Sequence, residues 1–137
     1  MKSAGYSPNP LWKKLGYKTG LTVYLENPPD NYQALLILPK DVTAKWQTAL
    51  LPGTAFVHAF FKEQATLRRK LPTYRAAVAR DGVIWISWPK KASGVLTDIS
   101  EDKIRQCALA IGLVDIKVCA VDETWSGLKL MIRKELR

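Results

Sequence analysis

Two strand patterns close the chain, Ile116 to Val121 and Leu128 to Ile132, and the segment between them is too short for a crossover helix. Parallel neighbours need a connection of a dozen residues or more, so these two must pair antiparallel. The expected product is a terminal hairpin turning around Trp125-Ser126-Gly127. Upstream the pattern is different, because strands there alternate with helices.

Leu21 to Leu25 reads as a buried strand stopped by Asn27-Pro28-Pro29, since proline cannot donate to a sheet ladder. Before it, Asn9 suits an N-cap, Pro10 a first helical turn and Gly16 the residue after a short helix. After it, Asp30 or Asn31 can cap a helix running to about Leu38, where Pro39 ends it. Thr43 to Gln47 reads as a short edge strand, and Thr54 to Phe61 as a strand opened by Pro52-Gly53. Within 62–80, Leu67, Leu71, Tyr74 and Val78 form one apolar stripe, and Pro72 is expected to kink the helix or open a second one. Gly82 then leads into Val83 to Trp88, a continuous apolar run of the kind found where both sheet faces are covered. Ser100 caps a last helix with Ile104, Cys107, Ala108 and Ile111 inward, and Gly112 closes it. Alternation of this kind implies right-handed crossovers. The expected fold is therefore one α/β domain over 1–137, Rossmann-like, with a mostly parallel sheet, helices on both faces and a C-terminal antiparallel hairpin.

Size and composition agree with this. The 137 residues include 47% apolar and 24% charged side chains, ordinary for a chain that folds on its own core. The two cysteines, Cys107 and Cys119, sit among apolar neighbours and read as small core residues in a reducing compartment. No metal is expected, because His58 stands alone and no Cys-x-x-Cys occurs. Met1 to Pro10 has no apolar stretch, and the longest aliphatic run, Ala34 to Leu38, is far short of a membrane span. A cytoplasmic protein without membrane association is expected. The 21 Lys and Arg against 12 Asp and Glu give a net charge of +9, which favours anionic partners.

The stretch from Thr54 to about Arg133 resembles the C-terminal half of class I S-adenosylmethionine-dependent methyltransferases, in which strand, helix and glycine-led strand also precede a helix and a closing hairpin. That resemblance implies a methyltransferase-like fold, with a glycine-rich cofactor turn after the first strand. Glu26-Asn27-Pro28-Pro29-Asp30 stands there instead, so no cofactor is expected. Three phrases, Ser3-Ala4-Gly5-Tyr6, Trp88-Pro89-Lys90-Lys91 and Val121 to Lys129, also resemble a family of small bacterial proteins of unknown function. This second resemblance implies the same fold and no activity.

Ligands of open parallel sheets bind beyond the carboxyl ends of the strands. There the sequence brings Asn27, then Trp88 with Lys90, Lys91 and Ser93, then Asp122, Glu123 and Trp125. The expectation is a non-catalytic binder of a small anionic ligand. Lys90, Lys91 and Ser93 would hold the negative group, Asn27, Asp122 and Glu123 would orient the polar part, and Trp88 and Trp125 would wall it. No catalytic residue is assigned: Ser87 lacks a nucleophile elbow, and His58 reads as a buried structural imidazole. Two alternatives remain. One is an interaction or regulatory module that meets nucleic acid or an acidic protein through the basic helix 62–80, with Lys62, Arg68, Arg69, Lys70, Arg75 and Arg80. The other is a methyltransferase.

Overall fold

A computed structural model describes residues 9–137 of the chain, so the Ser3 to Tyr6 phrase lies outside the described residues. Its elements are α1 (Leu11–Leu15), β1 (Thr22–Glu26), α2 (Tyr32–Leu36), β2 (Lys45–Gln47), β3 (Thr54–Phe60), α3 (Gln64–Ala77), β4 (Val78–Pro89), α4 (Glu101–Ala110), β5 (Leu113–Ala120) and β6 (Trp125–Ile132). The strands form one sheet in the order β2-β1-β3-β4-β6-β5. β1 is parallel to β2 and to β3, and β3 is parallel to β4, while β6 is antiparallel to both β4 and β5. The closing pair is thus the expected hairpin, and its second strand slots between β4 and β5.

Helices cover both faces. On one, Leu67, Leu71 and Tyr74 of α3 and Ile104 and Ala108 of α4 pack on Val57, Ala59, Ile84, Ile86, Leu128 and Leu130. On the other, Leu11 and Leu15 of α1 and Tyr32 and Leu36 of α2 pack on Val23, Phe56, Phe60 and Trp85. Each such aliphatic side chain, fully buried, contributes about 1.5–3 kcal/mol of hydrophobic stabilisation. Among the described residues no helix is long and apolar enough to cross a membrane.

Several boundaries differ from the sequence pattern. Pro10, extended at φ −66° and ψ 160°, takes the N-cap place expected for Asn9. α2 stops at Leu36, before Pro39, because Ile37 turns left-handed at φ 54°. Pro72 opens no second helix: α3 runs through it, held on either side by the buried Leu67, Leu71 and Tyr74. Helix 62–80 is shorter than expected, since Val78 and Arg80 already belong to β4. Between the pairs Thr54↔Val78 and Phe56↔Val83, β3 advances two residues and β4 five, so β4 bulges over 79–82. Gly82 makes this possible, because a Cβ there would lie 2.5 Å from Val78 Cγ2 and 3.0 Å from the Ala79 carbonyl oxygen. β5 begins at Leu113, ahead of Ile116, and bulges between Asp115 and Lys117. Trp125, Ser126 and Gly127 lie within β6 and pair with β4, so the hairpin turns over 121–124 instead.

Candidate functional site

The chain leaves β1 for β2 on one side and β3 for β4 on the other, so the loops part between the carboxyl ends of β1 and β3. A cleft of about 900 Å³ opens there, lined by Asn27 and Pro29 after β1, residues 60–63 and Thr66 after β3, residues 95–98 after β4, and Trp125 of β6. Its volume falls within the range of small-molecule sites.

Asn27 makes the turn after β1 in the left-handed conformation, φ 52°, and its Nδ2 donates to the Phe60 carbonyl at 3.4 Å. Asparagine tolerates this region better than other side chains, which lets the chain turn sharply without glycine. The neighbouring Glu26 faces α3, where its Oε1 accepts from the Tyr74 hydroxyl at 2.7 Å and lies 3.5 Å from Lys70 Nζ. Burial and this carboxylate push the Tyr74 hydroxyl pKa up, keeping it a donor.

The aromatic wall of the cleft is supported from the core. Trp125 meets Phe60 edge-on, 5.1 Å between centroids, and Phe60 stacks on His58 at 4.4 Å. His58 is wholly buried; its Nδ1 lies 2.8 Å from the Tyr32 hydroxyl and its Nε2 2.7 Å from Ser87 Oγ. Tyr32 reaches on to the Tyr17 hydroxyl at 2.8 Å. Desolvation pushes the imidazole down to about 3, so it is neutral and structural. A polar strap closes another side of the cleft: Thr97 Oγ1 donates to the Lys62 carbonyl at 2.6 Å, and Asp98 Oδ1 accepts from the Gln64 amide at 2.7 Å.

Of the residues expected at the site, Asn27 and Trp125 reach the cleft. Lys90, Lys91, Ser93, Asp122 and Glu123 gather on the two adjoining loops, which are tied by the Lys90 amide donating to the Thr124 carbonyl at 2.8 Å. They stand outside the cleft lining. Ser93 Oγ donates to the Lys90 carbonyl and accepts from the Val95 amide, and Asp122 Oδ1 accepts from the amides of Thr124 and Trp125. Both side chains therefore shape their own turns. Trp88 is buried in the core beneath α3 and α4 and walls nothing. Of the cations of the basic helix, Arg68 and Arg69 stay exposed side by side on α3, while Lys62 lines the cleft, Lys70 faces Glu26, Arg75 Nε donates to the Ile111 carbonyl, and Arg80 lies in β4. Sequence reasoning missed Phe60, Phe61 and the 95–98 loop, whose apolar or plain composition carries no chemical signature.

No protein-family model and no curated protein matches the chain. Solved structures do. A SAM-dependent methyltransferase from Aquifex aeolicus aligns with a TM-score of 0.63 at 13% identity, over 92% of this chain and 94% of that one. The fold is methyltransferase-like. An O-methyltransferase from neocarzinostatin biosynthesis, solved with S-adenosylmethionine and 2-hydroxy-5-methyl naphthoic acid, aligns at 0.64 and 12% identity over 88% of this chain and 50% of that one. Magnesium protoporphyrin IX methyltransferase from Synechocystis PCC 6803, with bound SAM, aligns at 0.59 and 10% identity over 90% and 74%.

Proposed function

We propose that the cleft binds S-adenosylmethionine and that the chain is a small methyltransferase. The observation that carries this reading is an aromatic-walled cleft at the switch point of a methyltransferase-like sheet. Phe60, Phe61 and Trp125 suit a purine ring, and Lys62 and Glu63, of opposite sign on one rim, suit a zwitterionic tail. Pro28 and Pro29 have no N–H to offer, so the tail is held by side chains where a glycine loop would use backbone. When bound, the cofactor supplies an electrophilic methyl group. Trp125 and the residues 95–98 line the cleft opposite the β1 turn, and Asn27 fixes the β1 end against β3. Isothermal titration with S-adenosylmethionine and with S-adenosylhomocysteine tests the reading. One site with a Kd below about 100 μM, weakened at least about tenfold by Trp125→Ala, is expected; no heat at about 1 mM ligand overturns it.

The glycine-free turn after β1 favours a second reading, the non-catalytic anion binder. The Lys90–Thr124 link sets the lysine loop beside the β6 end that carries Trp125. Lys90 and Lys91 then hold the negative group, with Ser93 fixing their loop and Trp125 as the wall. A thermal-shift screen of nucleotides and phosphorylated metabolites separates the two. A hit abolished by Lys90→Ala with Lys91→Ala, alongside no S-adenosylmethionine binding, selects this reading.

A further inference from the structure

α1 lies on the sheet face that carries Trp85, whose Nε1 donates to the Leu15 carbonyl at 2.9 Å. On that same face the register sets Trp85 beside Lys129, and Lys129 directly opposite Lys117. Side chains so paired have Cβ atoms about 5 Å apart, and like charges there repel. Burial and Lys117 both push the Lys129 ammonium pKa down. A third cation joins them where Lys14 Nζ reaches the Ala120 carbonyl at 3.2 Å, three residues along β5 from Lys117 and so about 10 Å away.

Neither strand of the hairpin sets a carboxylate on this face. β6 has no acidic residue, and the acid of β5, Asp115, faces α4, where it pairs with Arg105 Nε at 2.9 Å. None of the ion pairs among the described residues includes Lys14, Lys117 or Lys129. A cross-strand lysine pair with no counter-charge costs stability in the free protein. Phosphates lying across the strands would remove that cost.

We propose that the α1 side of the β5–β6 hairpin is a docking surface for the phosphodiester backbone of a nucleic acid, gripped by Lys14, Lys117 and Lys129. This surface is separate from the cleft and does not depend on what the cleft binds. Fluorescence anisotropy with a labelled single-stranded RNA and a labelled duplex DNA, at 50 and 200 mM salt, tests it; a response to either strand type supports the proposal. Replacing all three lysines by glutamine is expected to weaken binding at least about tenfold at the lower salt and to flatten the log–log salt slope by about 2 on a single strand. The triple variant also loses the Lys14 bond to the Ala120 carbonyl, so the single Lys117→Glu variant, which removes only the repulsion, is the one that should melt no lower than the parent, and it should weaken binding in the same direction. Arg68→Gln with Arg69→Gln, on α3, should leave binding unchanged. No binding at 50 mM salt, unchanged affinity in both lysine variants, loss through the α3 pair instead, or binding confined to anionic lipid vesicles would each overturn it.

Discussion

Two residues carry the sharpest local consequences. His58 titrates near 6.5 in the unfolded chain and at about 3 in the core. Below 6.5 the unfolded state takes up a proton that the folded state refuses, so this stability is complete above 6.5 and is lost as pH falls toward 3. The loss runs at about 1.4 kcal/mol per pH unit, or about 2 kcal/mol by pH 5. Urea melts at pH 7 and 5 should show it, and His58→Gln should lose that part of the slope. Ile37 is a β-branched residue at φ 54° whose side chain is 69% exposed. Ile37→Gly relieves the left-handed strain and sacrifices little packing, so a gain of about 1 kcal/mol in urea melts is expected. The burial behind the His58 effect was legible in the sequence, and the left-handed turn at Ile37 was not. A lone histidine in an apolar strand announces burial, but its partners Tyr32 and Ser87 come from other elements.

At the scale of elements, the Ser100 cap was legible, while the bulges and the fate of Pro39 and Pro72 were not. Ser100 accepts from the Lys103 amide at 3.3 Å, as its position before Glu101-Asp102 predicts. Ser100→Ala should therefore cost about 1 kcal/mol, measurable as a lowered urea midpoint with an unchanged m-value. Gly82 looked like a simple lead into a strand. Its role is set by close approach to Val78 and to the Ala79 and Ala55 carbonyls, within the widened stretch of β4. Gly82→Ala should cost about 1–3 kcal/mol, because two of its three neighbours are backbone and cannot move aside. Pro72 shows the converse: the missing hydrogen bond foretells a break, yet three buried side chains keep α3 whole. Local chemistry sets a preference that tertiary packing overrides.

For the whole molecule, the position of β6 governs assembly. β5 pairs with β6 alone, and β6 is its bridge to β4. A chain ending at Thr124 should therefore fail to fold cooperatively, seen as loss of a sigmoidal melt and of dispersed amide resonances. The same insertion makes β5 parallel to β4, which brings the ends of β1, β4 and β5 to one edge and sets the Lys90 loop against Thr124.

Sequence alone determined the alternation of strands and helices, the antiparallel ending and the edge at which the loops after β1, β4 and β5 gather. Periodicity, caps and loop lengths are local properties, and they restrict topology strongly. Tertiary structure decided which side chains face the cleft. Asn27 and Trp125 do, Trp88 sinks into the core, and Asp122 and Ser93 turn inward to cap their own loops. It also decided that Lys117 and Lys129 stand opposite one another, since register across a hairpin depends on a bulge at Asp115/Lys117 that no residue type announces. A side chain's type fixes what it can bond. Its neighbours, assembled from distant parts of the chain, fix what it does bond.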